Sequence, residues 1–148
     1  MLLKHTLVKR VEFINEKIIE GSIELGANLE RNFKCLDDNE KGFVELLLEI
    51  KDKNDDSPDA FRLLIKMHGF FSMENEKNVT NRMDELRDKA ADIVYPYLAA
   101  YISAFIPLSG LPALFLPPTL QAFEKENDID KLQREPAGSL FLYPKQNE

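Results

Sequence analysis

The chain changes hydrophobic period halfway along. In the first half, Ile23, Leu25, Ala27, Leu29, Phe33 and Cys35 alternate with Glu24, Gly26, Asn28, Glu30, Asn32 and Lys34, and Arg31 is the one charged residue in the apolar series. A period of two puts such a set on one face of a strand. Val44, Leu46, Leu48 and Ile50 repeat the pattern, as do Phe61, Leu63, Ile65, Met67, Phe71 and Met73. Thr6 to Ile14 reads as a weaker strand. The polar run from Lys51 to Asp59 predicts a turn. One-sided alternation with short polar connections predicts an antiparallel sheet with one wet face.

In the second half the period lengthens. Met83, Leu86, Ala90, Ile93, Val94, Tyr97, Tyr101 and Phe105 recur at three and four, which predicts an amphipathic helix capped by Thr80 or Asn81. Beyond Asp92 the stripe widens to nearly the whole helix, and no charged residue occurs from Ile93 to Phe123. Pro96 lacks an amide donor and predicts a kink or the true start of the helix, and Pro107 predicts its end. Leu108 to Pro118 reads as an apolar, irregular loop, followed by a modest helix from about Thr119 towards Leu132. We read residues 1–135 as one domain. Residues 136–148 form a C-terminal tail with one apolar island, Leu140 to Tyr143.

Composition narrows the function. A chain of 148 residues can bury a proper core as one domain. A net charge of −7 argues against nucleic acid and anionic membrane surfaces as partners. The opening MLLKHTLVKR has no long apolar run or small-residue cleavage site, and the single Cys35 fits a reducing compartment. The expected location is therefore the cytoplasm, where the sequon Asn78-Val79-Thr80 has no consequence.

The uncharged segment admits three readings. A membrane span needs roughly 20 uninterrupted apolar residues. The longest proline-free piece, Tyr97 to Ile106, spans only about 15 Å at the helical rise, so no span is expected. A core helix laid on the sheet accounts for part of the segment but leaves Leu108, Leu111, Leu114, Phe115 and Leu116 without a place. The third reading is an apolar surface used for oligomerisation or for binding unfolded chains.

Catalytic signals are absent: the chain has no glycine-rich phosphate loop, nucleophile elbow or Cys/His cluster. His5 and His68 stand alone, with His68 on a polar strand face as a solvated group or cross-strand partner. Cys35 reads as a small buried hydrophobe. Asp37, Asp38, Asp55 and Asp56 fall in turns. The expectation is no enzyme, no metal and no cofactor.

Residues of the second half also carry a resemblance. The third strong strand ends Gly69-Phe70-Phe71-Ser72-Met73. The helix carries Asp92-Ile93-Val94-Tyr95-Pro96-Tyr97, and Gly110, Pro112, Leu114, Leu116 and Pro117 follow. This order resembles the SecB family of export chaperones over about residues 22 to 123. That family has a GIFSI-like strand end, an N-I-L-F-P-Y helix and a G-x-P-x-L-x-L-x-P loop. The resemblance implies an α+β fold, with a four-stranded antiparallel sheet, a long helix on one face, a crossover loop and a short second helix. It also implies a homotetramer built as a dimer of dimers. By the same resemblance, unfolded polypeptide clients would be held without ATP in a groove lined by Phe71, Tyr95, Tyr97, Leu108, Leu111, Leu114 and Leu116. Many family members pass clients to SecA, which docks on acidic residues of the exposed sheet face. Here Leu64 and, on a looser alignment, Arg10 stand where those acids are expected. Three alternatives stay open: a general or export holdase, a chaperone dedicated to one client such as an antitoxin, and a structural oligomer without client binding.

Overall fold

A computed structural model describes residues 1–17, 23–36, 40–73, 79–108, 116–125 and 140–142. Four long strands come first: β1 (Leu2–Ile14), β2 (Ile23–Leu36), β3 (Lys41–Asp52) and β4 (Arg62–Ser72). Helix α1 (Val79–Leu108) follows. A second helix, α2, starts at residue 120, its described part ending at 125, and Leu140–Leu142 forms β5. The sheet order is β1-β4-β3-β2-β5 and every neighbouring pair is antiparallel. Strands β2, β3 and β4 pair in sequence, and β1 lies on the far side of β4, as in a Greek key.

The alternation seen in the sequence is the alternation of burial. In β3, Val44, Leu46, Leu48 and Ile50 are buried, whereas Phe43, Glu45, Leu47 and Glu49 are half-buried. Their β4 partners Gly69, Met67, Ile65 and Leu63 are buried with them, as is Phe71 opposite Gly42 on the same face. Helix α1 covers this face with Leu86, Ala90, Val94, Tyr95, Leu98, Ile102 and Ile106. It comes close at Gly69 of β4. An added Cβ there would lie 2.4 Å from Val94 Cγ2 and 3.2 Å from Val44 Cγ1. Helix and sheet can meet at that depth only over a residue with no side chain.

The structure corrects the expectation for Pro96 as a helix start. Helix α1 begins at Val79 and runs through Pro96. Asp92, whose carbonyl would receive the missing amide, and Pro96 itself are both exposed, so the unmade bond lies on the solvated side. The helix also continues one residue past Pro107. By length and composition Arg82–Leu108 could cross a membrane, but its inner side is packed on the sheet, as in a core helix.

Arg31, the interruption in the apolar series of β2, has a use. It pairs with Glu124 of α2 and so ties the sheet margin to the second helix. Thr119 caps α2: its hydroxyl accepts the Ala122 amide at 3.2 Å, and its carbonyl accepts the Phe123 amide at 3.0 Å. Leu120 and Phe123 are buried beneath. His68 is a cross-strand partner, with Nε2 2.9 Å from Glu45 Oε2.

Candidate functional site

The seven residues singled out above fall into three groups. Phe71, Tyr95 and Leu116 are buried within the single chain. Tyr97 is 53% exposed and Leu108 86% exposed. Leu111 and Leu114 lie outside the described residues. The buried group has a clear local cause. The Tyr95 hydroxyl donates to the Pro117 carbonyl at 2.8 Å, and its ring meets Phe123 at 5.5 Å between centroids. One side chain of α1 thus fastens the segment entering α2 onto the helix.

The exposed group belongs to a longer feature. Ile93, Tyr97, Ala100, Ala104 and Leu108 are all exposed, at spacings of three and four. They form a second apolar stripe on α1, turned away from the stripe that meets the sheet. A polar outer face is the rule for a helix packed on one sheet, so this face is unusual for a chain in isolation. Beside it, Tyr101 and Phe105 are half-buried and stack at 6.3 Å, and Phe105 meets Phe13 of β1 edge-on at 5.7 Å. On this side of the sheet β1 adds exposed Val11, opposite Ile65, whereas exposed Leu2 and Leu7 lie opposite Ser72 and His68 on the other face; the outer edge of β1 has no strand partner among the described residues. Sequence reasoning placed Ile93, Tyr97, Tyr101 and Phe105 in one stripe with Leu86, Ala90 and Val94; the structure corrects this, with Ile93 and Tyr97 exposed and Tyr101 and Phe105 half-buried at its border. The contact of Phe105 with β1 was missed, since helical spacing cannot show which strand a helix edge overhangs.

This assembly of rings and aliphatic chains can bury another chain's apolar groups, and it offers little else. Among the described residues no three His, Cys, Asp or Glu side chains gather as metal ligands. Burial pushes the Cys35 thiol above its usual range, against the opposing influence of Arg82 and Arg87. Cys35 Sγ rests 3.5 Å from Met83 Sδ, in the half-buried seam between β2 and α1. Such a thiol is a packing group and a poor nucleophile.

No protein-family model matches the chain, and no curated protein matches its sequence. Among solved structures it is similar to the SecB-like chaperone of Mycobacterium tuberculosis, determined in complex with a ChAD peptide from an antitoxin. The match covers 78% of this chain and 87% of that one, at 16% identity and a TM-score of 0.60. The fold is therefore SecB-like: an antiparallel sheet of four long strands, a long helix packed on it and a short second helix.

Proposed function

We propose that this chain is a cytoplasmic, ATP-independent chaperone that holds unfolded polypeptides on apolar surface provided by α1, the segment after it and the sheet. The observation that carries the reading is the second apolar stripe of α1, ending in Leu108 at 86% exposure, on a SecB-like fold. Each aromatic or leucine side chain that a client buries there contributes roughly 1.5–3 kcal/mol before ordering costs. Because the hydrophobic effect is non-directional, such a surface tolerates many sequences. A folded client covers the same groups itself and no longer binds, so no nucleotide is required for release. Leu111 and Leu114 would extend the surface, whereas Phe71, Tyr95 and Leu116 are buried within the chain and add no area to it.

A second reading is a chaperone dedicated to one client, favoured by the antitoxin peptide bound to the mycobacterial neighbour. A handover to SecA in protein export gains little support from the outer sheet face. Arg10 pairs there with Glu12, and Leu64 is only 8% exposed, with Glu12 and Glu49 as its register neighbours. In a homotetramer, the open edge of β1 and part of the α1 stripe would be available for subunit contacts.

The test is suppression of aggregation for several unrelated unfolded proteins, with Tyr97→Ser/Leu108→Ser alongside the wild type and the oligomer weighed by light scattering. Capture of many clients, weakened by the double substitution in an intact oligomer, supports a general holdase. Activity towards a single protein supports the dedicated reading. Dissociation of the oligomer without change in client capture makes the stripe a subunit interface and removes it as the client surface.

A further inference from the structure

Strand β2 is held unequally on its two sides. On one side it pairs with β3 from Leu25 to Leu36 without a register shift. On the other, among the described residues, it meets only β5, through Ile23↔Leu142, Glu24↔Phe141 and Leu25↔Leu140. From Gly26 to Leu36 that outer edge has no strand partner among the described residues. This is roughly 35 Å of edge at the strand rise. Such an edge is a template for another extended chain, because its main-chain donors and acceptors point outward in register.

The edge is also firmly placed where β5 meets it. The Lys53 amide donates to the Glu24 carbonyl at 3.0 Å, and Lys53 Nζ lies 3.1 Å from Glu24 Oε1. Leu25 is buried at 1% exposure. The chain seated there is its own apolar tripeptide Leu-Phe-Leu, which reaches the edge from the far end of the sequence. A three-residue strand is too short to persist except as a tethered one.

We infer that the outer edge of β2 is a strand-addition site for an extended, apolar stretch of client polypeptide, and that Leu140–Leu142 is its tethered, displaceable occupant. The inference rests on the chaperone reading and adds a regulatory element to it. Main-chain pairing recognises any unfolded chain irrespective of sequence, while the tail raises the affinity an incoming chain needs. With a tether setting an effective concentration in the millimolar range, a weak three-pair strand lowers apparent affinity by about twofold to tenfold.

The experiment uses the full-length chain and two variants, Phe141→Pro and Leu142→Pro. Adjacent residues of a strand present their amides to opposite sides, so one of the two prolines must remove a donor aimed at β2. The probes are a labelled peptide spanning Gly138 to Tyr143 and a reduced, alkylated protein that stays unfolded. The expected result is tighter peptide binding by at least one variant, by about twofold to tenfold, with new amide protection between Gly26 and Leu36. Equal affinity in all three proteins, or protection confined to other elements, overturns the inference. So does a wild-type dimer that dissociates in the proline variants, since the tail would then bridge two copies. Failure of all three proteins to retain the unfolded protein would instead refute the chaperone reading, and the peptide titration still decides the tail.

Discussion

Replacing Gly69 by alanine tests how closely α1 is laid on the sheet. The new methyl would start 2.4 Å from Val94 Cγ2 and 3.2 Å from Val44 Cγ1, about 1 Å short of ordinary contact with the first. Both neighbours are β-branched side chains with stiff χ1 angles, so neither can swing aside, and the helix itself must lift. Overpacking of this kind costs roughly 1–3 kcal/mol. Removing a glycine from a strand returns about 0.5–1 kcal/mol of backbone entropy. The net expectation is a loss of about 1–2 kcal/mol, or roughly 3–6 °C in Tm for a domain of this size. Gly42 provides the comparison. A Cβ there would meet Leu86 Cδ1 at 2.8 Å and Met73 Sδ at 3.1 Å, both far ends of flexible side chains. Gly42→Ala should therefore cost less than Gly69→Ala in urea unfolding followed by circular dichroism. Combining Gly69→Ala with Val94→Ala should recover part of the loss, with a coupling of about 1 kcal/mol. A Gly69→Ala protein as stable as the wild type, or less affected than Gly42→Ala, would refute the packing argument.

Two further substitutions probe single contacts. Tyr95→Phe keeps the ring but leaves the buried Pro117 carbonyl without its donor, and should lower unfolding free energy by about 1–2 kcal/mol; an unchanged urea midpoint would mean that this bond does not hold the segment. On the surface, the Lys17 ammonium, 2.5 Å away, and Ser57 hold the Asp55 carboxyl well below the usual carboxylate range, while Asp55 raises Lys17. The depressed carboxylate stabilises fully above the ordinary carboxylate range and is lost as pH falls through its folded value. The raised ammonium stabilises fully below the ordinary lysine range and is lost as pH rises past it, so the pair contributes a plateau across neutral pH. Lys17→Met should move the Asp55 titration, followed by NMR, up towards 3.8, and an unmoved titration would contradict the assignment of Lys17 as its main cause.

The strong strands were legible because burial on a sheet follows side-chain period directly. Each apolar position of β3 and β4 singled out by alternation is buried. Strand β1 read as weak for a physical reason. Its register shifts between Leu3 and His5, and again between Val8 and Arg10, and these irregularities break the period of two on which the reading depends. Arg31 looked like a defect in β2, since its partner Glu124 is 93 positions further along the chain. The tail island Leu140 to Tyr143 was visible as composition, but its pairing with β2 is a non-local fact that no local pattern encodes. Of the candidate site residues, apolar excess marked Leu108 and the resemblance Tyr97, both exposed here, while the burial of Tyr95 and Leu116 follows from how residues 116–118 fold back on α1.

The arrangement of tyrosines along α1 has a practical consequence. The chain has no tryptophan and four tyrosines, and Tyr95, Tyr97 and Tyr101 all lie within two turns of this helix. One is sealed and hydrogen-bonded, one is open to solvent, and one is half-covered. Tyr97 therefore places an intrinsic emitter on the surface proposed to receive guests, and with a guest that lacks tyrosine and tryptophan, quenching or brightening of that light reports occupancy without any attached dye.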